Sequence, residues 1–452
     1  MHYLGIDIGT SSICGVIYDP ETKSVTSITK ENTAVIESLP VIREKIQNPS
    51  LIMDTVMDII REFTSKYTDI KGIGITGQMH GILYVDENGE ALSPLYTWQD
   101  GRGNLLLEAD RTYVDCLSEK SGYPLATGYG LVTHFYNMIN NNVPRKAAKL
   151  CTIMDYAVMK LTGRKSPLID YTNATSLGCF GLKDLCFDLQ AIEKAGIDVS
   201  ILPETRESGV LAGYYSGKIP VYSAIGDNQA SFLGSVKDIP HSIHITIGTS
   251  SQLSVYSKEY VKIESLDTRP FPGGGYILVG ATLCGGQSLV ILKEFFEQTL
   301  RFFGTEYAGA AGFFEKLASI PEDSFPKDLP FTETCFYGTR SKPMKRGAIT
   351  NISALNLTPE NLIISFLNGI SSELHAFYEL IPDPIKTGKN TLVGSGNSIK
   401  KNPLLVKIIE RQFGCKLIFS DYAEEAALGA CFCGMAGRSF NFSQPEPAHQ
   451  RQ

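Results

Sequence analysis

Two aspartates stand where an apolar run meets a turn: Asp7 in "LGIDIGTSS" and Asp227 in "AIGDNQA". An ionisable group inside such a run is costly unless it has a partner. A carboxylate at that place can hold a divalent cation, directly or through its water shell. It can also accept a proton from an attacking hydroxyl. For Asp227, which ends a strand and starts a helix, the plainer role of helix N-cap remains equally open. For Asp7 the plainer role is that of an edge or turn aspartate.

The run "IGTSS" occurs twice, close to half a chain apart, giving Thr10, Ser11 and Ser12 in one copy and Gly248, Thr249 and Ser250 in the other. Such a turn offers backbone N–H groups and short hydroxyls with nothing bulky in the way, which suits phosphate oxygens. One copy alone reads more simply as an ordinary hairpin turn; the duplication favours phosphate. Neither copy has the P-loop spacing, and no GxGxxG follows the first strand, so those nucleotide motifs are excluded. The second copy carries Thr246 in place of Asp7, as expected if a single Mg²⁺–nucleotide complex needs one carboxylate.

A third glycine-rich stretch, "LVGSGNSIKKNPLL", sets Gly394, Gly396 and Asn397 between a strand and a helix, and Gly285–Gly286 opens another helix. Backbone without side chains lets a flat ring or a phosphate approach closely. After two phosphate turns, the adenosine end of a nucleotide is the natural occupant. Two polar clusters suit a sugar: "GITGQMHGI" with Gln78, Met79 and His80, and "LYTWQDGRGN" with Trp98, Gln99, Asp100 and Arg102. Amides and carboxylates match hydroxyls, and an aromatic plane matches C–H faces. Each has a plainer reading: a structural histidine, a core tryptophan, a surface ion pair of Asp100 with Arg102.

The elements that must position these groups alternate between strand and helix. "YLGIDIGTSSICGVIYD" and "SIHITIGTSSQLSVYS" read as strand–turn–strand units, and "GILYVDENGEALS" as a hairpin around Asn88–Gly89. "SLIMDTVMDIIREF" has helical spacing with Ser50 as its cap, and Thr358–Pro359 open a second long helix. Two related α/β halves facing each other across a cleft follow from this. We expect domains at 1–226 and 227–440, with a polar tail at 441–452.

At 452 residues, 43% apolar and 20% charged, the chain has the composition of a globular protein with two large domains. A net charge of −7 argues against nucleic acid or an anionic membrane as partner. Ten scattered cysteines without a CxxC pair read as reduced thiols. No leader precedes the strand at Tyr3 and no run approaches a membrane span, so a cytoplasmic location is expected.

Taken in order, "GTSS", "GQMHG", "WQDGR", "GDNQA", the second "GTSS" and the late glycine-rich turn resemble the FGGY family of carbohydrate kinases over roughly Tyr3 to Gly437. "TWQDGRG", "GTSSQL", "GSGNS" and "FYGTRSKPMKRGAITNIS" are similar to the sedoheptulokinase branch, with xylulokinases and other pentulose kinases the alternative. The resemblance implies two ribonuclease H-like domains of the actin/hexokinase/Hsp70 type, with ATP and sugar between them. It implies Asp227 as general base and Asp7 as organiser of Mg²⁺, through water. Gln78, Met79, His80, Trp98, Asp100 and Asn228 would meet the sugar. Thr10, Ser11, Ser12, Gly248, Thr249 and Ser250 would meet phosphates, and Gly286, Gly394, Gly396 and Asn397 the adenosine. Around Gly394–Asn402 the chain departs from the family's glycine triplet. The expected activity is transfer of phosphate from ATP to the terminal hydroxyl of sedoheptulose, by a monomer or homodimer. A non-catalytic sugar sensor would not need both Asp7 and Asp227. An assembly ATPase would leave "WQDGR" unexplained.

Overall fold

The computed structural model describes residues 1–36, 44–304, 310–321, 326–339, 342 and 344–437, so the expected tail at 441–452 lies outside the described residues. Its contacts divide the chain into two compact units. The first is Met1–Lys237 with Arg269–Gly275 and the chain from Tyr422 onward; the second is Asp238–Thr268 with Tyr276–Asp421. The division thus falls at 237/238, where the sequence suggested 226/227, and two later segments return to the first unit.

In the first unit six strands form one sheet: β1 (His2–Ile8), β2 (Ser12–Asp19), β3 (Ser24–Glu31), β4 (Ile70–Gly77), β5 (Leu211–Tyr215) and β6 (Ile219–Tyr222). Their order is β5-β6-β4-β1-β2-β3. β1 and β2 are the expected hairpin, and β4 lies parallel to β1 with Thr76 beside Asp7. Helix α1 (Pro49–Lys66) buries Ile52, Met53, Val56, Ile59, Ile60 and Phe63, the one-sided spacing of an amphipathic helix. Its cap is Asn48, not Ser50: Asn48 accepts from the Ser50 N–H at 2.9 Å, while Pro49 takes a position that needs no donor. Helices α2 (Ile153–Thr162), α3 (Tyr171–Ala174) and α4 (Asp227–Ser235) follow.

The second unit repeats the plan with β7 (Ser242–Ile247), β8 (Ser251–Ser257), β9 (Asp267–Pro270, its last two residues counted with the first unit), β10 (Tyr276–Thr282), β11 (Thr391–Ser395) and β12 (Lys416–Phe419). The order is β9-β10-β8-β7-β11-β12. Again a hairpin, β7–β8, is flanked by a parallel strand, β11, and Thr246 stands beside Ser395 as Asp7 stands beside Thr76. Its helices include α5 (Gln287–Phe302), α6 (Pro359–Glu379), α7 (Asn397–Lys400) and α8 (Pro403–Phe413). Thr358 caps α6 as expected, with Pro359 at the first turn.

The last helix, α9 (Glu425–Ala436), explains why the chain returns to the first unit. It is small and apolar on most sides, "EAALGACFCGMA", and so has no single outer face. Strand glycines let it sit directly on the first sheet. A Cβ on Gly74 would lie 1.7 Å from Ala430 O, and one on Gly5 1.9 Å from Ala427 O. Glycine inside a strand marks such close backbone approach. Among the described residues no helix is long and apolar enough to cross a membrane.

Candidate functional site

In the first unit the turn between β1 and β2 is tied down through its carbonyls. Asn32 donates from Nδ2 to Gly9 O at 2.9 Å and from its backbone N–H to Ser11 O at 2.9 Å. Gln47 Nε2 donates to Thr10 O at 2.8 Å. The oxygens that would repel an anion are thereby engaged, while Ser11 and Ser12 stay exposed. The Thr10 hydroxyl donates to Gln78 Oε1 at 3.4 Å and accepts from Trp98 Nε1–H at 3.0 Å. Gln78 Nε2 in turn donates to Gln47 Oε1 at 2.8 Å. Thr10, Gln47, Gln78 and Trp98 thus form one hydrogen-bonded group that joins the phosphate-type turn to both sugar-type segments.

Asp7 is the last residue but one of β1. Burial, then the nearby charges of Asp227 and Glu424, push its carboxyl up to about 7. Asp227 occupies the first position of α4, one residue inside the cap, which is Gly226. Burial pushes Asp227 up to about 6, against the lowering influence of Arg269 and the Asn228 N–H. Both carboxyls are therefore raised toward neutrality, and the charge of Asp227 contributes to the rise at Asp7. Met79 is buried against Gly226, which precedes Asp227: a Cβ there would lie 2.8 Å from the Met79 sulfur. The Asn228 Oδ1 is buried with no hydrogen-bond partner among the described residues.

His80 holds a left-handed backbone, φ 72°, fixed by three contacts. Its N–H donates to Ser176 Oγ at 3.1 Å, its ring Nδ1 bonds Ser176 O at 2.9 Å, and the ring stacks on Tyr129. Trp98 is 46% exposed. Asp100 is wholly buried, and both its oxygens are used. It accepts from Arg102 Nε at 2.6 Å, Arg102 Nη2 at 3.1 Å and the Lys45 N–H at 3.1 Å. The Asp100–Arg102 pair is therefore internal, not a surface bridge, with the guanidinium 4.2 Å from the Tyr96 ring centroid. This pair braces the loop that carries Trp98.

In the second unit the other turn is braced from Gly285–Gly286. The N–H groups of Gly285 and Gln287 donate to Thr249 O, and that of Gly286 to Gly248 O at 2.8 Å. Ser398 Oγ also reaches Gly248 O, at 3.3 Å. Gly396, at φ 88°, follows β11 so closely against β7 that a Cβ would lie 2.4 Å from Ile247 O. Gly248, Thr249, Ser250, Gly286, Gly394, Gly396 and Asn397 thus share one end of that sheet. Thr246, in place of an aspartate, shares a 2.8 Å hydrogen bond with Ser395.

Sequence reasoning missed Asn32, Gln47, Thr76, Asp170, Thr172 and Glu424. Thr76 sits inside "GITGQMHGI" and Glu424 beside Glu425, but neither has a type that marks it out there, and the other four lie in no glycine-rich or charged motif; only buried hydrogen bonds or charge effects single them out. A divalent cation suits the donors present in the first unit: Asp7, a hard oxygen ligand, feels the charges of Asp227 and Glu424, a repulsion that a cation would relieve. Among the described residues no three His, Cys, Asp or Glu side chains are grouped to hold a metal by themselves. A cation bound here would be held by these carboxylates through water.

Residues 2–234, just over half of the chain, match the N-terminal domain of the FGGY family of carbohydrate kinases. The mouse sedoheptulokinase is 29% identical, with 98% of each chain covered. The human sedoheptulokinase is 26% identical over 94% of this chain and 96% of its own. Among solved structures, a xylulose kinase from Rhodospirillum rubrum superposes with a TM-score of 0.82 at 18% identity, covering 98% of this chain and 91% of that one.

Proposed function

The chain belongs to the FGGY family of carbohydrate kinases and is a sugar kinase with ATP as phosphoryl donor, and on that premise we propose that its acceptor is sedoheptulose, phosphorylated at the C7 hydroxyl. The observation that carries the chemistry is Asp227: a carboxyl at the first position of a helix, raised to about 6 by burial and near enough to Asp7 for its charge to raise that group. A general base works best when its pKa lies near the operating pH. The near full-length likeness to two sedoheptulokinases supports the acceptor.

In this reading Asp227 accepts the proton of the C7 hydroxyl as its oxygen attacks the γ-phosphorus. A bond forms from that oxygen to phosphorus, the bond to the β–γ bridging oxygen breaks, and ADP leaves. Met79, His80, Trp98 and Asn228 hold the sugar, and Asn228 brings an unpaired acceptor to it. Gln78 and Asp100 shape that site from behind, through Gln47 and Arg102. The turns Thr10–Ser12 and Gly248–Ser250 receive phosphate oxygens, and Gly286, Gly394, Gly396 and Asn397 border the adenosine. Mg²⁺, when bound, neutralises charge on the β- and γ-phosphate oxygens; Asp7 would hold it through water.

The test compares ATP-dependent phosphorylation of sedoheptulose, D-xylulose, D-ribulose and glycerol by kcat/KM. Sedoheptulose should lead. A lead for D-xylulose would overturn the acceptor and leave the kinase; transfer to none of them would overturn the whole reading.

A further inference from the structure

The Ile225–Gly226 peptide, one residue ahead of the Gly226–Asp227 bond, is gripped by two threonine hydroxyls from distant parts of the first unit. Thr76 Oγ1 donates to Ile225 O at 2.8 Å. The Gly226 N–H donates to Thr172 Oγ1 at 2.9 Å. Both polar groups of the Ile225–Gly226 peptide are therefore held by side chains. The third support is backbone, from the Ile225 N–H to Ile75 O at 3.0 Å.

The direction of the Thr172 hydroxyl is itself fixed. It donates to Asp170 Oδ1 at 2.6 Å, and the same oxygen accepts the Thr172 N–H at 2.7 Å. With its proton committed to Asp170, the hydroxyl presents a lone pair to Gly226. Thr76, Thr172 and Asp170 are 0, 1 and 0% exposed, so water does not compete for these bonds. Thr76 also stands beside Asp7 in the β1–β4 register. One end of the clamp thus sits on the strand neighbouring Asp7, and the other sets where α4 begins.

We propose that Thr76 and Thr172, with Asp170 orienting Thr172, are positioning residues that hold the Asp227 carboxylate in place relative to Asp7. This rests on Asp227 being the base of the reaction. Neither threonine touches the reacting atoms; each acts through one peptide plane. A threonine that merely satisfied a buried backbone group would matter to stability alone. A positioning residue must matter to turnover in the folded enzyme, because displacing a catalytic group by about 1 Å costs on the order of a hundredfold in rate.

The experiment measures kcat and KM for sedoheptulose and ATP in Thr76→Val, Thr172→Val, Thr76→Ser and Thr172→Ser, with Asp227→Asn alongside. Urea unfolding identifies conditions in which each variant is folded. The valine variants should lose about tenfold to a hundredfold in kcat, with KM for ATP little changed. The serine variants, which keep the hydroxyl, should recover most of that loss. Valine variants that unfold more easily yet keep full kcat when folded would overturn the clamp, provided Asp227→Asn is inactive. If one valine variant does not fold, the other and its serine counterpart decide. Full turnover in Asp227→Asn would instead overturn the base, and the clamp with it.

Discussion

The indole N–H of Trp98 donates to the hydroxyl of Thr10 over 3.0 Å, tying the only tryptophan of the chain to the first phosphate-type turn. Gln47 completes the connection by bonding both Gln78 and the Thr10 carbonyl.

These two links differ in burial, and so in what they are worth. Gln47 is buried, and its replacement by leucine leaves an amide and a carbonyl unpaired, at about 1–3 kcal/mol each. Trp98 is exposed, and Trp98→Phe frees a hydroxyl that water can reach. Urea unfolding should therefore show a loss of at least about 2 kcal/mol for Gln47→Leu and under about 1 kcal/mol for Trp98→Phe. Equal losses would contradict the network as drawn.

Gly74 carries α9 on its bare backbone. Gly74→Ala drives a methyl group to 1.7 Å from Ala430 O, which only a shift of the whole helix relieves. Overpacking of this kind typically costs about 1–3 kcal/mol or more. Thermal unfolding should place this variant well below the parent. An unchanged midpoint would mean that α9 does not rest on β4.

Asp155 gives a pH signature of stability. It is fully buried within the cap of α2, and burial, the largest cause, pushes it up to about 7 despite two hydrogen bonds from Thr152. Unfolded, the group titrates near 3.9. Between those values the native state holds the proton and the unfolded chain does not. Stability from this group is thus full below the unfolded value and is lost as pH rises through about 7. Asp170, Asp227 and Asp7 act in the same direction, with values of about 6, 6 and 7. Asp155→Asn should remove about 2 kcal/mol of the loss between roughly pH 5.5 and 8, read by urea unfolding at both. An unaltered slope would show that Asp155 ionises freely in the fold.

The two "IGTSS" runs were legible because short apolar strands around small-residue turns have few other solutions. The structure gives them matching registers, Asp7 beside Thr76 and Thr246 beside Ser395. The domain boundary was less legible. α9 belongs with β1 and β4 because their glycines admit it, and a helix apolar on most sides carries no periodicity to show which sheet it covers. Asp100 and Arg102 could be paired from their spacing, but the burial that makes the pair internal comes from Tyr96 and Tyr136, on other elements. Asp227 could be placed at a strand-to-helix junction. That Thr76 and Thr172 grip the peptide before it depends on contacts far apart in sequence, which no motif encodes.

The most direct test of the account is turnover of Asp227→Asn with ATP and sedoheptulose, beside its ATP affinity. Asparagine keeps the shape and removes the proton acceptor, so kcat should fall by about 10²–10⁴ while the fold and ATP binding persist. Near-normal turnover in the folded, ATP-binding variant would contradict it.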